Sequence, residues 1–150
     1  MPVETNIPSI FHVAEYVLQR LGTMTTMKLE KLVYYCQAWS LAWDDVPIFQ
    51  EDFEAWANGP VCRELYNIHK KMFIVDDSLL SQFSGYPFSK DQIDTINQVL
   101  AYYGDKDPQW LSDLTHQEEP WRIARGNTAP GMHCENIITK QSMQEYYGGL

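Results

Sequence analysis

The side chains best suited to chemistry are three cysteines and four histidines. Cys62 follows Pro60 in the first turn of a predicted helix, where the helix dipole lowers the pKa of a thiol. With His116 close in space, the pair would suit a nucleophile and its base in a hydrolase or transferase. The sequence offers no third catalytic residue and no oxyanion hole, so we favour a packing role for Cys62.

A metal site has equally little support. Zinc requires several converging thiolates or imidazoles, usually with two of them closely spaced. His133 and Cys134 are adjacent, but the sequence contains no C-x-x-C or H-x-x-x-H pair. The glycines are isolated and form no phosphate-binding loop. We therefore expect no metal, no cofactor and no enzymatic activity.

Composition limits the partners of the protein. Eleven basic against twenty acidic residues give a net charge of −9, which disfavours nucleic acids and anionic membranes and favours basic partners. The odd number of cysteines fits reduced thiols, and Met1–Pro8 has no signal-peptide pattern, so we expect a cytoplasmic protein. No apolar run approaches the ~20 residues that span a bilayer.

Capping residues and the spacing of apolar residues predict that the cysteines and histidines lie mainly on helices. Ser9 as N-cap and Gly22 as a stop bound a first helix, and Thr25-Thr26 begin a longer, central one. The periodicity changes between Asp44 and Gly59, which predicts two short extended pieces and at most a minor hairpin.

Helices are also predicted for the second half of the chain. Asn58-Gly59-Pro60 predicts a turn and a helix start, and that helix runs to about Lys71. Asp76–Phe88 is predicted to be a loop. Further helices are predicted to begin after Ser89 and after Asp107, and a last helix is predicted over Thr139–Tyr147. We expect a mainly α fold, a single compact domain over residues 1–150 with about six helices.

Three stretches form an ordered pattern across the chain. They are Met27–Trp39 (MKLEKLVYYCQAW), Phe53–Val61 (FEAWANGPV) continued by Leu65-Tyr66, and Leu111–Trp121 (LSDLTHQEEPW). In this order and spacing they resemble the signature of the Panacea, or SocA-like, antitoxin family, which includes phage-associated GepA-like proteins.

The resemblance implies an antitoxin of a type II toxin–antitoxin system that neutralises a co-encoded toxin by direct binding. The toxin would be encoded by an adjacent gene, and a protease or chaperone would be a further partner, since a relative presents its toxin to a protease. The motif residues expected to shape the toxin-binding surface are Lys28, Lys31, Tyr35, Gln37, Trp56, Gly59, Pro60, Tyr66, Thr115, His116, Glu118, Pro120 and Trp121.

Two alternatives stay open at this point. The Cys62/His116 enzyme requires the two side chains within hydrogen-bond reach in a cleft, and a DNA-binding autoregulator requires a basic helix, which the sequence lacks. Within the third motif, Thr115, His116 and Glu118 are expected to form a side-chain network that caps the turn at Pro120-Trp121. Glu118 is predicted to be partly exposed and Trp121 to lie in the core.

Overall fold

The computed structural model describes residues 7–150; residues 1–6, which carry most of the Met1–Pro8 stretch, lie outside it. The α-helices are α1 (Ile10–Leu21), α2 (Thr26–Asp44), α3 (Arg63–His69), α4 (Lys90–Tyr103), α5 (Pro108–Gln117), α6 (Glu119–Arg125) and α7 (Lys140–Gly148). The strands are β1 (Met24–Thr25), β2 (Phe53–Trp56), β3 (Gly59–Val61), β4 (Ile74–Val75) and β5 (Ile137–Ile138). A 3₁₀ helix covers Asp77–Phe83. No helix in this part of the chain is long and apolar enough to cross a membrane.

Helix α2 is the centre of the molecule. Every residue from 29 to 38 is buried, whatever side of the helix it occupies. Helices α1, α4, α5 and α7 all pack against it. A helix covered on all sides gains its stability from tertiary packing, and one continuous apolar core surrounds it. The expectation of a long central helix is confirmed.

Local capping signals place the helix starts correctly. The Ser9 hydroxyl accepts a hydrogen bond from the His12 backbone N–H, and Thr25 caps Lys28 in the same way. Ser89 and Gln92 form the expected reciprocal box, since the Gln92 side chain also accepts from the Ser89 N–H. Each side chain satisfies a backbone group that the first helical turn leaves unpaired.

The hairpin lies further along the chain than the sequence suggested. Strand β2 pairs antiparallel with β3, with Ala55 opposite Pro60 and Trp56 opposite Gly59, and β5 pairs with the other side of β2. Pro60 is therefore a residue of an edge strand, where a missing N–H is tolerated, and not the start of a helix. Helix α3 begins at Arg63 and ends before Lys70.

The expected count of about six helices is too low. Asp76–Phe88, predicted to be a loop, contains the 3₁₀ helix, which buries Leu80 and packs on α1. The turn expected around Trp121 is helix α6. Strands β1 and β4 add a second small sheet. The fold is mainly α, with more helices and more strands than predicted.

Several large apolar side chains lie at the surface. Phe73 is 74% and Met72 49% exposed, just beyond the end of α3. The chain leaves the helix at Lys70, so the helical spacing no longer directs these side chains inward. Trp43 and Trp110 are also exposed.

Candidate functional site

The first two motifs meet at a cleft of ≈ 320 Å³ between the start of α2, the β2–β3 hairpin and α3. Its lining residues are Thr26, Met27, Glu30, Lys31, Trp56, Ala57, Asn58, Val61, Tyr66, His69, Gly131 and His133. Three of the predicted site residues therefore line the cleft, namely Lys31, Trp56 and Tyr66. The Trp56 and Tyr66 rings contact each other, with centroids 4.8 Å apart.

A buried acid and a histidine form the inner wall of the cleft. Glu30 Oε2 lies 2.7 Å from His69 Nε2, and both side chains are almost completely buried. Glu30 Oε1 accepts the backbone N–H of Cys62 at 2.9 Å, so each carboxylate oxygen has a partner. This pair ties α2 to α3, because a buried carboxylate is stable only when it is hydrogen-bonded. Neither Glu30 nor His69 is among the site residues predicted from the sequence.

Lys31 crosses the protein interior beside this pair. Its Nζ donates to the Pro60 carbonyl at 3.3 Å, and burial lowers the pKa of its ammonium to about 8, although Glu30 acts in the opposite direction. Gly59 makes room for the lysine stem, since a Cβ at that position would lie 2.5 Å from Lys31 Cε and 2.9 Å from Thr115 Oγ1. Gly59 also has φ +117°, a conformation that side chains disfavour.

Helices α5 and α6 hold the hairpin in place from behind. Two side chains of the third motif donate to its backbone carbonyls, Trp121 Nε1 to Trp56 at 2.8 Å and Ser112 Oγ to Asn58 at 2.7 Å. Arg125 Nη1, which follows the motif on α6, donates to the Ala55 carbonyl at 3.0 Å. His116 interacts with the backbone of the intervening residue, Ala57. Four consecutive hairpin residues, Ala55–Asn58, are thus held by α5 and α6, and the last three of them line the cleft.

The His116 and Trp121 rings lie against each other in a tilted arrangement. Their ring centroids are 4.2 Å apart, and burial lowers the pKa of the imidazole. Trp121 is half-buried against the core rather than fully inside it, which corrects the prediction. Its position is set by the hydrogen bond to the hairpin, because a buried indole N–H requires an acceptor.

Glu118 has a different environment from the one predicted. It is only 7% exposed, and its Oε1 accepts hydrogen bonds from the hydroxyls of Tyr35 and Tyr147, each at 2.7 Å. Burial raises the pKa of this carboxyl, while the two tyrosines lower it. Glu118 therefore joins α2 to α7 and does not cap the turn at Trp121, since its side chain makes no capping hydrogen bond to α6.

The remaining motif residues lie outside the cleft lining. Gln37 is buried, donating to the Phe49 carbonyl and accepting from the Ile48 N–H, both at 2.8 Å, which clamps the segment after α2. Pro120 is buried in the first turn of α6. Lys28 is half-buried in the first turn of α2.

The Cys62 thiol is not activated. Burial raises its pKa, and the neighbouring carboxylates of Glu30 and Glu64 raise it further. These effects outweigh the hydrogen bond with the Leu65 backbone at the helix start, so the prediction of a lowered pKa is wrong. Its Sγ donates to Glu64 Oε1 at 3.4 Å. His116 contacts Trp121 and Ala57 instead. These contacts do not form the thiol–imidazole pair that a Cys/His nucleophile requires.

The adjacent His133 and Cys134 side chains lie in different environments. The His133 ring is exposed and lies 2.9 Å from Glu135, whereas Cys134 is buried. Across residues 7–150, the structure contains no group of three or more His, Cys, Asp or Glu side chains placed to hold a metal ion.

Together, fold and cleft define a mainly helical protein in which buried polar pairs and backbone hydrogen bonds shape one surface concavity. The chain belongs to the family described as antitoxin SocA-like, Panacea domain, whose model matches residues 29–122. This match confirms the resemblance drawn from the three motifs. It includes the hairpin, α3, α5 and most of α2 and α6, whereas α1 and α7 lie outside it. No curated protein and no solved structure matches the chain.

Proposed function

We propose that this protein is the antitoxin of a type II toxin–antitoxin pair and that it neutralises a co-encoded toxin by direct binding at the cleft and its apolar edge. The observation that carries this proposal is the convergence of the family's motif residues on one concave surface. Lys31, Trp56 and Tyr66 line the cleft, and residues of the third motif fix the hairpin beside them.

An apolar surface adjoins the cleft and supports protein binding. Ile68, Met72, Phe73 and Ile74 are between 40% and 74% exposed. A groove of ≈ 300 Å³ is lined by Phe73 and Met27, and Met27 also lines the cleft, so the groove lies next to the cleft. Exposed apolar patches beside polar groups are typical of protein interaction sites. We call Ile68 and Met72–Ile74, together with Met27, the apolar edge.

The polar groups of the cleft favour binding over chemistry. Both oxygens of Glu30 already accept hydrogen bonds, and the Lys31 amine contacts the Pro60 carbonyl. Groups engaged in this way keep a surface rigid, and a rigid surface loses less entropy when a partner docks. The two roles of the cleft are therefore to present Trp56 and Tyr66 and to hold them in place.

The proposal includes a single domain that works in the cytoplasm. One apolar core cluster extends from Ile10 to Tyr147, which supports a single folding unit. Cys36, Cys62 and Cys134 are free and buried, as expected for a reducing compartment.

Co-expression with the product of the adjacent gene tests the proposal. The wild-type chain should relieve the toxicity of that product and co-purify with it. Phe73→Asp should abolish both effects, because it places a charge at the centre of the apolar edge. Ile123→Asp is the matched control, since Ile123 is 63% exposed on α6 and outside the cleft and its edge, and it should rescue normally.

Two results would contradict this proposal in different ways. A neighbour that is harmless when expressed alone, or that never associates with the chain, would refute the antitoxin function. Full rescue by Phe73→Asp would leave the antitoxin function intact and refute the assigned surface. Circular dichroism melts of both variants establish that each is folded.

A further inference from the structure

A second cavity lies away from the cleft, between α1 and the chain that leads from the 3₁₀ helix into α4. Its volume is ≈ 210 Å³. This is smaller than the roughly 300–1,000 Å³ of sites that enclose a whole drug-sized molecule, so it suits a head group or a single side chain. Helix α1 lies outside residues 29–122, the part that matches the family model.

Five aromatic rings follow one another around this cavity. They are Phe83, His12, Tyr86, Phe88 and Tyr16, and each contacts the next, with centroid distances of 5.4, 4.4, 5.0 and 5.6 Å in that order. Most of these contacts are edge-to-face. Burial lowers the pKa of the His12 imidazole, although Glu51 acts in the opposite direction.

A buried carboxylate lies among the rings. Glu15 lines the cavity and is 2% exposed. Gln19 hydrogen bonds with this side chain, but within the described residues Oε1 is buried with no hydrogen-bond partner. Burial raises the pKa of the Glu15 carboxyl, and the negative charge of Asp77 raises it further. A buried carboxylate is costly without a counter-charge, so a cation bound in the cavity would stabilise the ionised form of Glu15.

We propose that this cavity binds the head group of an organic cation, an alkylammonium or guanidinium, with Glu15 as its counter-ion and the rings as its walls. Aromatic faces attract such cations, and desolvation strengthens the attraction. A divalent metal would require six or more oxygen ligands, or several imidazoles and thiolates, and the lining supplies one carboxylate. Arg20, which is not among the residues that line the cavity, lies over the Tyr16 ring, 5.4 Å from its centroid, so this ring already contacts a cation of the chain itself.

The cation can come from a free small molecule or from a lysine or arginine side chain of a partner protein. Both offer the same chemistry, so the test includes one probe of each kind. Choline represents the free cation, and Nα-acetyl-lysine methylamide represents the side chain. The neutral isostere of choline, 3,3-dimethylbutan-1-ol, has the same shape without the charge.

Ligand-observed NMR titration of the full chain measures the three affinities. We expect at least one cation to bind with a Kd of about 1 mM or tighter and the neutral isostere to bind at least about tenfold more weakly. The tighter of the two cations identifies the source. Glu15→Gln keeps the shape of the side chain and should weaken cation binding at least about tenfold. Glu145→Gln, on the exposed face of α7, is the matched control and should bind as wild type.

A second variant keeps the proposal testable if Glu15→Gln fails to fold. Phe88→Leu removes one ring and leaves the carboxylate, and it should weaken binding about three- to tenfold. Equal affinity for choline and its neutral isostere would overturn the proposal. The same holds for unchanged affinity in a folded Glu15→Gln variant, or for the absence of binding by either cation to the wild-type chain.

Discussion

Replacing Gly59 by alanine should destabilise the protein through a specific collision. The new Cβ would lie 2.5 Å from Lys31 Cε and 2.9 Å from Thr115 Oγ1, closer than carbon and oxygen atoms approach in proteins. The Lys31 stem is fully buried and its amine is held by Pro60, so it has little freedom to withdraw.

The expected loss combines two contributions. A side chain at positive φ costs about 1–2 kcal/mol, and overpacking a well-filled interior costs about 1–3 kcal/mol. The total is about 2–5 kcal/mol, a large part of the 5–15 kcal/mol that stabilises a typical domain. For a chain of this length, the melting temperature should fall by about 10 °C.

Thermal and urea unfolding followed by circular dichroism measure this loss, with Gly85→Ala as the matched control. Gly85 also has positive φ (+80°), but its added Cβ would meet nothing within 4 Å. That variant should lose only the conformational contribution, about 1–2 kcal/mol. Equal losses in Gly59→Ala and Gly85→Ala would refute the collision. Lys31→Ala introduced into Gly59→Ala should recover part of the loss, giving a favourable coupling energy of about 1 kcal/mol or more.

Three further variants test other contacts. Glu118→Ala should cost about 2–4 kcal/mol in urea unfolding, because it leaves the buried hydroxyls of Tyr35 and Tyr147 without their acceptor; a loss below about 1 kcal/mol would contradict this role. Cys62→Ser should leave toxin neutralisation unchanged in the co-expression assay, since burial raises the pKa of that thiol; loss of rescue by a folded variant would indicate chemistry at this residue. Lys31 has its pKa lowered to about 8, so the folded state binds fewer protons than the unfolded state between about pH 8 and 10.5. Wild-type stability relative to Lys31→Met should therefore rise by up to about 3 kcal/mol across that window, whereas a difference independent of pH would disprove the shift.

The sequence predicted what is encoded within a few residues. Ser9, Thr25 and Ser89 cap helices by contacts three positions away, so the start of each helix could be placed from local pattern alone. The strand at Gly59–Val61 was missed because proline after glycine fits both a helix start and an edge strand. Pairing with β2 decides between them, and that pairing is not visible in a local pattern.

Much of the site is formed by residues that are far apart in the sequence, which explains why it could not be predicted. Glu30 and His69 are separated by 39 positions, and nothing in the spacing of either residue points to the other. Glu118 was expected near the surface because carboxylates are seldom buried, and its two tyrosine partners lie on other helices. Trp56 and Tyr66 were within reach of sequence reasoning, since both belong to one motif.

The hydrogen bonds that hold the hairpin can form only after residues much later in the chain have been synthesised. Arg125 follows its partner Ala55 by 70 positions, and ribosomes add about 5–20 residues per second, so the donor emerges roughly 4–14 s after the acceptor. During this delay the turn carbonyls face water, and the wall of the cleft has no support from α5 and α6. A nascent chain that stops before α6 carries the first two motifs but does not hold them in their final geometry. Under the proposed function, protection against the toxin therefore begins only after α6 has been synthesised, and a ribosome that stalls before α6 yields no partial protection.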